Sequence, residues 1–150
     1  MSDDEQTTWQ AYVRLRQRLE AAMAAGLAED GVSFADYEVL VALSAAPESS
    51  LRAKELAAEV CWEKSRLSKH LARMAARGLV ERLPVSEDAR GILIKLTDEG
   101  RTAVESAAPN HVALVRKLFV DQVTPEEALA LRSLTEKVVD AVERSADGNA

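Results

Sequence analysis

Apolar residues recur along most of this chain at the three-to-four-residue spacing of helices, and switch to alternation in one place only. Residues 5–25 put Trp9, Tyr12, Val13, Arg16, Leu19 and Met23 on one stripe, with helix-forming residues between them. Ser33 with Asp36 marks the start of a second helix, whose apolar side is Tyr37, Leu40, Val41 and Leu43. Pro47 and the Ser49–Ser50 pair end it. Lys54–Val60 reads as a short helix that turns near Cys61. Lys64–Arg77 reads as a fourth helix, stopped by Gly78 in the left-handed position just past its end.

The period then changes. Leu79–Leu83 and Ile92–Leu96 are β-prone runs flanking Pro84–Gly91, which predicts a β-hairpin with a long polar tip. Thr97 begins another helix, and Pro109 inside it predicts a kink or a break before Val112–Asp121. Thr124, Pro125 and Glu127 form a strong start signal for a last helix: a cap, a proline at the first helical position, and the acid that completes a capping box. Its stripe is Leu131, Leu134, Val138 and Val142, and SADGNA reads as a frayed tail.

Composition changes this picture little. The 150 residues are 47% apolar and 29% charged, as in a soluble globular domain able to bury a core. No run of about 18 apolar residues is present, so no spanning helix is expected. The start, MSDDEQTTWQ, is acidic where a secretion signal would be basic and then apolar. With the lone Cys61, this favours the cytoplasm.

Charge changes it more. The net charge is −6, yet 11 Lys and Arg stand against 8 Asp and Glu between Arg52 and Arg101, a balance of +3 against −9 elsewhere. Lys64, Arg66, Lys69, Arg73, Arg77, Arg82 and Arg90, with His70, fall in one stretch. A basic middle between acidic flanks would offer one face to a polyanion. A mixed, solvated surface is the plainer account of the same count.

Two short helices, a turn and a hairpin directly after the second helix make a winged helix-turn-helix. The expected fold class is therefore mainly α with a small β-hairpin wing. In the fourth helix Leu67, Leu71, Met74 and Ala75 face the core, leaving Ser65, Arg66, Ser68, Lys69, Arg73 and Arg77 on its other sides. Such a helix fits a major groove about 12 Å wide, with Ser65–Lys69 deepest and Arg73 and Arg77 toward phosphates. An ordinary amphipathic helix with a cationic face would look the same. At the hairpin tip Arg90 suits a narrow minor groove, and Asp88 is placed to hold its guanidinium.

These residues resemble the multiple antibiotic resistance regulator (MarR) family of bacterial transcription factors. The resemblance runs from about Val32 to Val139 through KELAAEV, SRLSKHLARMAARGLVER, EDARGILIKLTDEG and HVALVRKLFVDQVTPEEALAL. It implies one domain over 1–150, with the winged unit at about 33–100 between dimerisation helices at about 5–25 and 98–145. It further implies a homodimer, a repressor by preference, straddling a palindromic operator in double-stranded DNA. Half-sites would lie about 34 Å apart. Trp9, Val13, Leu118, Phe119, Leu131, Leu134 and Val138 independently suit a dimer, being more apolar surface than terminal helices of a small monomer hide.

Three positions depart from the family pattern. Ala89 stands where relatives often have a second arginine, Cys61 where the turn often has glycine, and Lys54 where a serine or threonine often caps.

The resemblance also implies release of DNA by a small, often phenolic anion. Trp9, Tyr12, Arg16 and His111 are the candidates for an aromatic or anionic effector, although packing explains the aromatics and surface charge explains Arg16. Cys61, just before the fourth helix and near Lys64, is a candidate oxidant sensor, or else a small buried apolar residue. Catalysis is not expected. Only two histidines occur, and neither a nucleophile triad, a phosphate loop nor metal-ligand spacing is present. The rival class is a winged-helix module that binds protein, which would be expected to lack the cationic helix face.

Overall fold

The computed structural model describes residues 1–85 and 91–147. In chain order the elements are α1 (Asp3–Glu29), α2 (Phe34–Ala45), β1 (Ser50–Arg52), α3 (Ala53–Glu59), α4 (Lys64–Ala76), β2 (Val80–Pro84), β3 (Ile92–Leu96), α5 (Asp98–Leu118) and α6 (Pro125–Asp147). They form two compact units, Met1–Ala113 and Leu114–Ala150.

Local chemistry accounts for most of the boundaries. Ser2 and Glu5 form a capping box that starts α1 two residues before the expected 5–25 span. Ser33 caps α2, its hydroxyl accepting from the Asp36 N–H at 3.0 Å. Helices α1, α3 and α4 each end in the same hydrogen-bond pattern, with one residue in the left-handed region: Gly31, Cys61 and Gly78. Two of these are glycines. Cys61, at φ 54°, is not.

The core of the first unit is built where α1, α2, α3, α4 and the sheet meet. Leu27, Val39, Leu40, Leu43, Leu56, Leu67, Leu71, Met74, Ile94 and Leu96 are all buried there. On α2 the buried valine is Val39, whereas the expected Val41 is exposed. The apolar run VLVAL offers both, and the helix turns the other one inward.

The sheet has three strands, in the order β1-β3-β2, all antiparallel. The hairpin of β2 and β3 is where the alternation placed it, with Ile94 and Leu96 buried and Ile92 exposed. The third strand, β1, is a correction. Ser50-Leu51-Arg52 pairs with Lys95, Ile94 and Leu93, but three residues are too few to carry a periodic signal.

Pro109 does not break its helix before Val112. Helix α5 runs unbroken from Asp98 to Leu118, and the chain leaves it at Phe119. A mid-helix proline costs about 3 kcal/mol. Contacts on both sides of it offset that loss. Val104 and Ala107 are buried, Asn110 Nδ2 donates to the Gly26 carbonyl and to Asp30 Oδ2, and His111 packs on Tyr37.

Thr97 ties the start of α5 to the end of α4. Its hydroxyl donates to the Gly78 carbonyl at 2.6 Å and accepts from the Gly100 N–H at 2.9 Å. In the second unit, Thr124 and Glu127 close their capping box, at 2.9 and 3.2 Å, and α6 follows. It stays helical through Asp147, three residues into the expected frayed tail.

Candidate nucleic-acid interface

Helix α4 presents two faces of opposite character. Leu67, His70, Leu71 and Met74 are buried, and Ser65, Arg66, Ser68, Lys69, Arg73 and Arg77 are exposed. The buried set includes a histidine that the apolar pattern left out. Glu63 precedes the helix without a side-chain cap, and no acid stands in its first turn. Its first N–H groups are therefore free of a capping carboxylate, beside Ser65 and Arg66.

The cationic face is not a loose brush of charges. Arg77 donates from Nη1 to Asp36 Oδ2 at 2.9 Å and from Nη2 to Oδ1 at 2.5 Å. Sequence reading placed Arg77 toward phosphate, but its guanidinium is committed to a carboxylate 41 positions away on α2. Asp36 is only 1% exposed. Burial pushes its pKa up, but the hydrogen bonds from Arg77 and Ser33 and the charges of Arg77 and His70 outweigh that, so it stays below the usual carboxylate value. The same carboxylate raises the pKa of Arg77.

His70 completes the cluster. Its Nε2 lies 2.9 Å from Asp36 Oδ1. On the other side, Nδ1 meets Arg73 Nη2 at 3.1 Å. The Trp62 indole packs nearly perpendicular to the His70 ring, with centroids 5.2 Å apart, and the Arg66 guanidinium lies over the same indole at 3.9 Å. Asp36, His70 and Trp62 thus set the poses of Arg66, Arg73 and Arg77. Sequence reading missed this support. The available signal was Leu67, His70, Leu71 and Met74, whose spacing puts the histidine on the buried stripe.

The other candidates are dispersed. Asp88 and Arg90 at the wing tip lie outside the described residues. Cys61 is exposed, contrary to the plainer expectation of a buried thiol, and its Sγ lies 3.6 Å from the Ala58 carbonyl. Trp9 and Tyr12 stack at 5.5 Å and are both more than half exposed, and Arg16 is exposed beside them on α1. His111 instead packs on Tyr37 at 4.6 Å, and its buried Nδ1 has no hydrogen-bond partner among the described residues. Burial lowers the pKa of His111 and raises that of Tyr37. Among the described residues, no aromatic pair joins His111 to Trp9 or Tyr12. No described helix is long and apolar enough to cross a membrane.

Comparison with known proteins agrees with this geometry. A sequence model of the MarR family matches residues 30–91. The multiple antibiotic resistance protein MarR of Escherichia coli is 30% identical over 108 residues, covering 69% of this chain and 74% of that protein. The crystal structure of AbsC, a MarR family transcriptional regulator from Streptomyces coelicolor, superposes with a TM-score of 0.91 at 31% identity, over 95% of this chain and 97% of that one. The chain belongs to the MarR family.

Its members are transcriptional regulators and not enzymes. Sco3205, a MarR family regulator of Streptomyces coelicolor crystallised in complex with DNA, is 34% identical, with a TM-score of 0.90 over 94% of this chain and 89% of that one. With the regulator YdgJ of Bacillus subtilis the match spans 60% of that protein's length. Two departures from the family pattern have structural counterparts. Cys61 occupies a left-handed position suited to glycine, and α3 is capped at Arg52, one residue before Ala53, where Glu55 accepts from the Arg52 N–H at 2.9 Å.

Proposed function

We propose that this MarR family regulator is a cytoplasmic homodimer that reads a palindromic operator in double-stranded DNA and represses transcription until a small effector binds. The observation that carries the reading is α4. Its exposed side offers Ser65, Arg66, Ser68, Lys69 and Arg73 on a helix braced by a buried carboxylate, and the DNA-bound Sco3205 has the same fold at 34% identity. Arg66, Lys69 and the serines supply specificity. Arg73 and the first-turn N–H groups supply phosphate contacts. Arg77 serves as a brace. Arg90 is the candidate for reading the minor groove, with Asp88 as the proposed partner of its guanidinium.

Dimerisation is supported by α6. This 23-residue helix contains no buried residue among those described, and Leu131, Leu134, Val138 and Val142 are 40 to 64% exposed along one stripe. Trp9 and Tyr12 on α1 are similarly uncovered. Apolar surface of this extent marks an interface. An aromatic or anionic effector is supported by the unpaired Nδ1 of His111 beside Tyr37, with Trp9, Tyr12 and Arg16 as further candidates.

Fluorescence anisotropy with duplex from the protein's own upstream intergenic region, against a scrambled duplex, tests the reading. Nanomolar binding that weakens steeply with salt and prefers the native duplex is expected. Equal, weak binding to both would favour a protein-binding winged helix. The exposure of Cys61 at the turn before α4 keeps a redox-sensing regulator as the second reading. Unchanged operator affinity after peroxide oxidation of Cys61 would end it.

A further inference from the structure

His70 stands between two groups that make opposite demands on it. Asp36 Oδ1 lies 2.9 Å from Nε2, and Arg73 Nη2 lies 3.1 Å from Nδ1. A guanidinium can only donate, so Nδ1 must accept with its lone pair. The ring proton then belongs on Nε2, toward Asp36, and the ring is neutral. In this state the Arg73 head is drawn back along α4 toward the preceding turn.

The charged groups facing the ring are Asp36 from α2 and Arg73 and Arg77 from α4, and the uncharged Trp62 indole packs against it at a steep angle. Burial keeps the pKa of His70 below the ordinary 6.5, against the pull of Asp36, and Arg73 and Arg77 reinforce the lowering.

We propose that His70 is a positioning residue for Arg73, holding its guanidinium against the helix when neutral and releasing it to DNA phosphate when protonated. The proton comes from solvent and binds the Nδ1 lone pair, which breaks the hydrogen bond from Arg73 Nη2. The new imidazolium is paired with Asp36 and repels the Arg73 cation. No other bond changes. This deepens the DNA-binding reading and rests on it, and it makes the number of phosphate contacts depend on pH.

Two measurements on the full chain test it. In ring-nitrogen NMR at pH 7.5, His70 should be the neutral tautomer with its proton on Nε2. On acidification the Arg73 guanidinium resonance should move with the midpoint of His70, below pH 6.5, and should not move in His70→Gln. A proton on Nδ1 at neutral pH in the native chain, or an Arg73 signal indifferent to the titration, overturns the inference even should His70→Gln fail to fold.

The second measurement is the salt dependence of binding to a random-sequence duplex at pH 7.5 and at a pH one unit below the His70 midpoint found by NMR. The slope of log K against log salt should steepen by about 0.9, one phosphate contact, in the native chain and stay constant in Arg73→Ala. Equal steepening in both, or none in either, overturns release to phosphate. Absence of binding to any duplex at either pH removes the DNA reading instead, and the ring tautomer then still decides whether His70 holds Arg73.

Discussion

Asp36 and Arg77 meet in a two-pronged ion pair that joins the first turn of α2 to the C-cap of α4 across 41 positions of sequence. The carboxylate is buried and the guanidinium is 48% exposed. Removing the charge while keeping the shape, as in Asp36→Asn, leaves Arg77 without its fork partner and His70 without its anion. A fully buried pair broken this way costs roughly 3–5 kcal/mol. Half-exposure of Arg77 brings the expected loss down to about 2 kcal/mol. Urea unfolding at pH 7 measures it, and a loss below about 0.5 kcal/mol would show that the pair does not brace the helix.

Acid should weaken the fold in two windows. In the folded chain His70 and His111 are held below 6.5, chiefly by burial, so the unfolded chain takes up their protons first. Their contribution is complete above pH 6.5 and is lost as pH falls below it. Asp36 is held below 3.8, so its contribution is complete above that value and is lost on further acidification. The melting temperature should therefore hold steady from pH 8 to 7 and fall from there toward pH 5. A melting temperature that rises between pH 7 and 5 would contradict this.

Cys61 carries a side chain where α1 and α4 use glycine. Its left-handed backbone brings Cβ against the neighbouring carbonyl, at a cost on the order of 1 kcal/mol. Cys61→Gly should stabilise the chain by about 1 kcal/mol in denaturant unfolding with the same m-value. A destabilised variant would mean that the thiol makes a compensating contact.

Gly100 is the reverse case. A Cβ there would run into the Leu79 carbonyl oxygen and the Leu96 side chain, because α5 starts hard against the end of the α4–β2 turn. Gly100→Ala should cost about 2–3 kcal/mol by overpacking. A thermal shift below about 2 °C would show that the backbone can give way there.

Much of this architecture is legible in the sequence because its signals are local. Caps at Ser33 and Thr124, the stop at Gly78, and the alternation through Ile92–Leu96 each involve residues a few positions apart, and the structure has them all. What was not legible depends on distant partners. β1 exists because β3 lies beside it, and α5 passes Pro109 because Asn110 and His111 find partners on α1 and α2. The interface divides in the same way. Exposure of Ser65, Arg66, Ser68, Lys69 and Arg73 follows from helical spacing alone. The commitment of Arg77 to Asp36, and of Arg73 to His70, needed a fold to bring α2 under α4.

The most direct test of the central claim is a hydroxyl-radical footprint of the protein on its own upstream intergenic DNA. A dimer that lays one α4 into each of two major grooves should protect two segments on the same face of the duplex, with centres about 34 Å apart. Protection should weaken in Lys69→Ala. A duplex without protected segments, or with a single segment that no α4 substitution affects, would contradict the account.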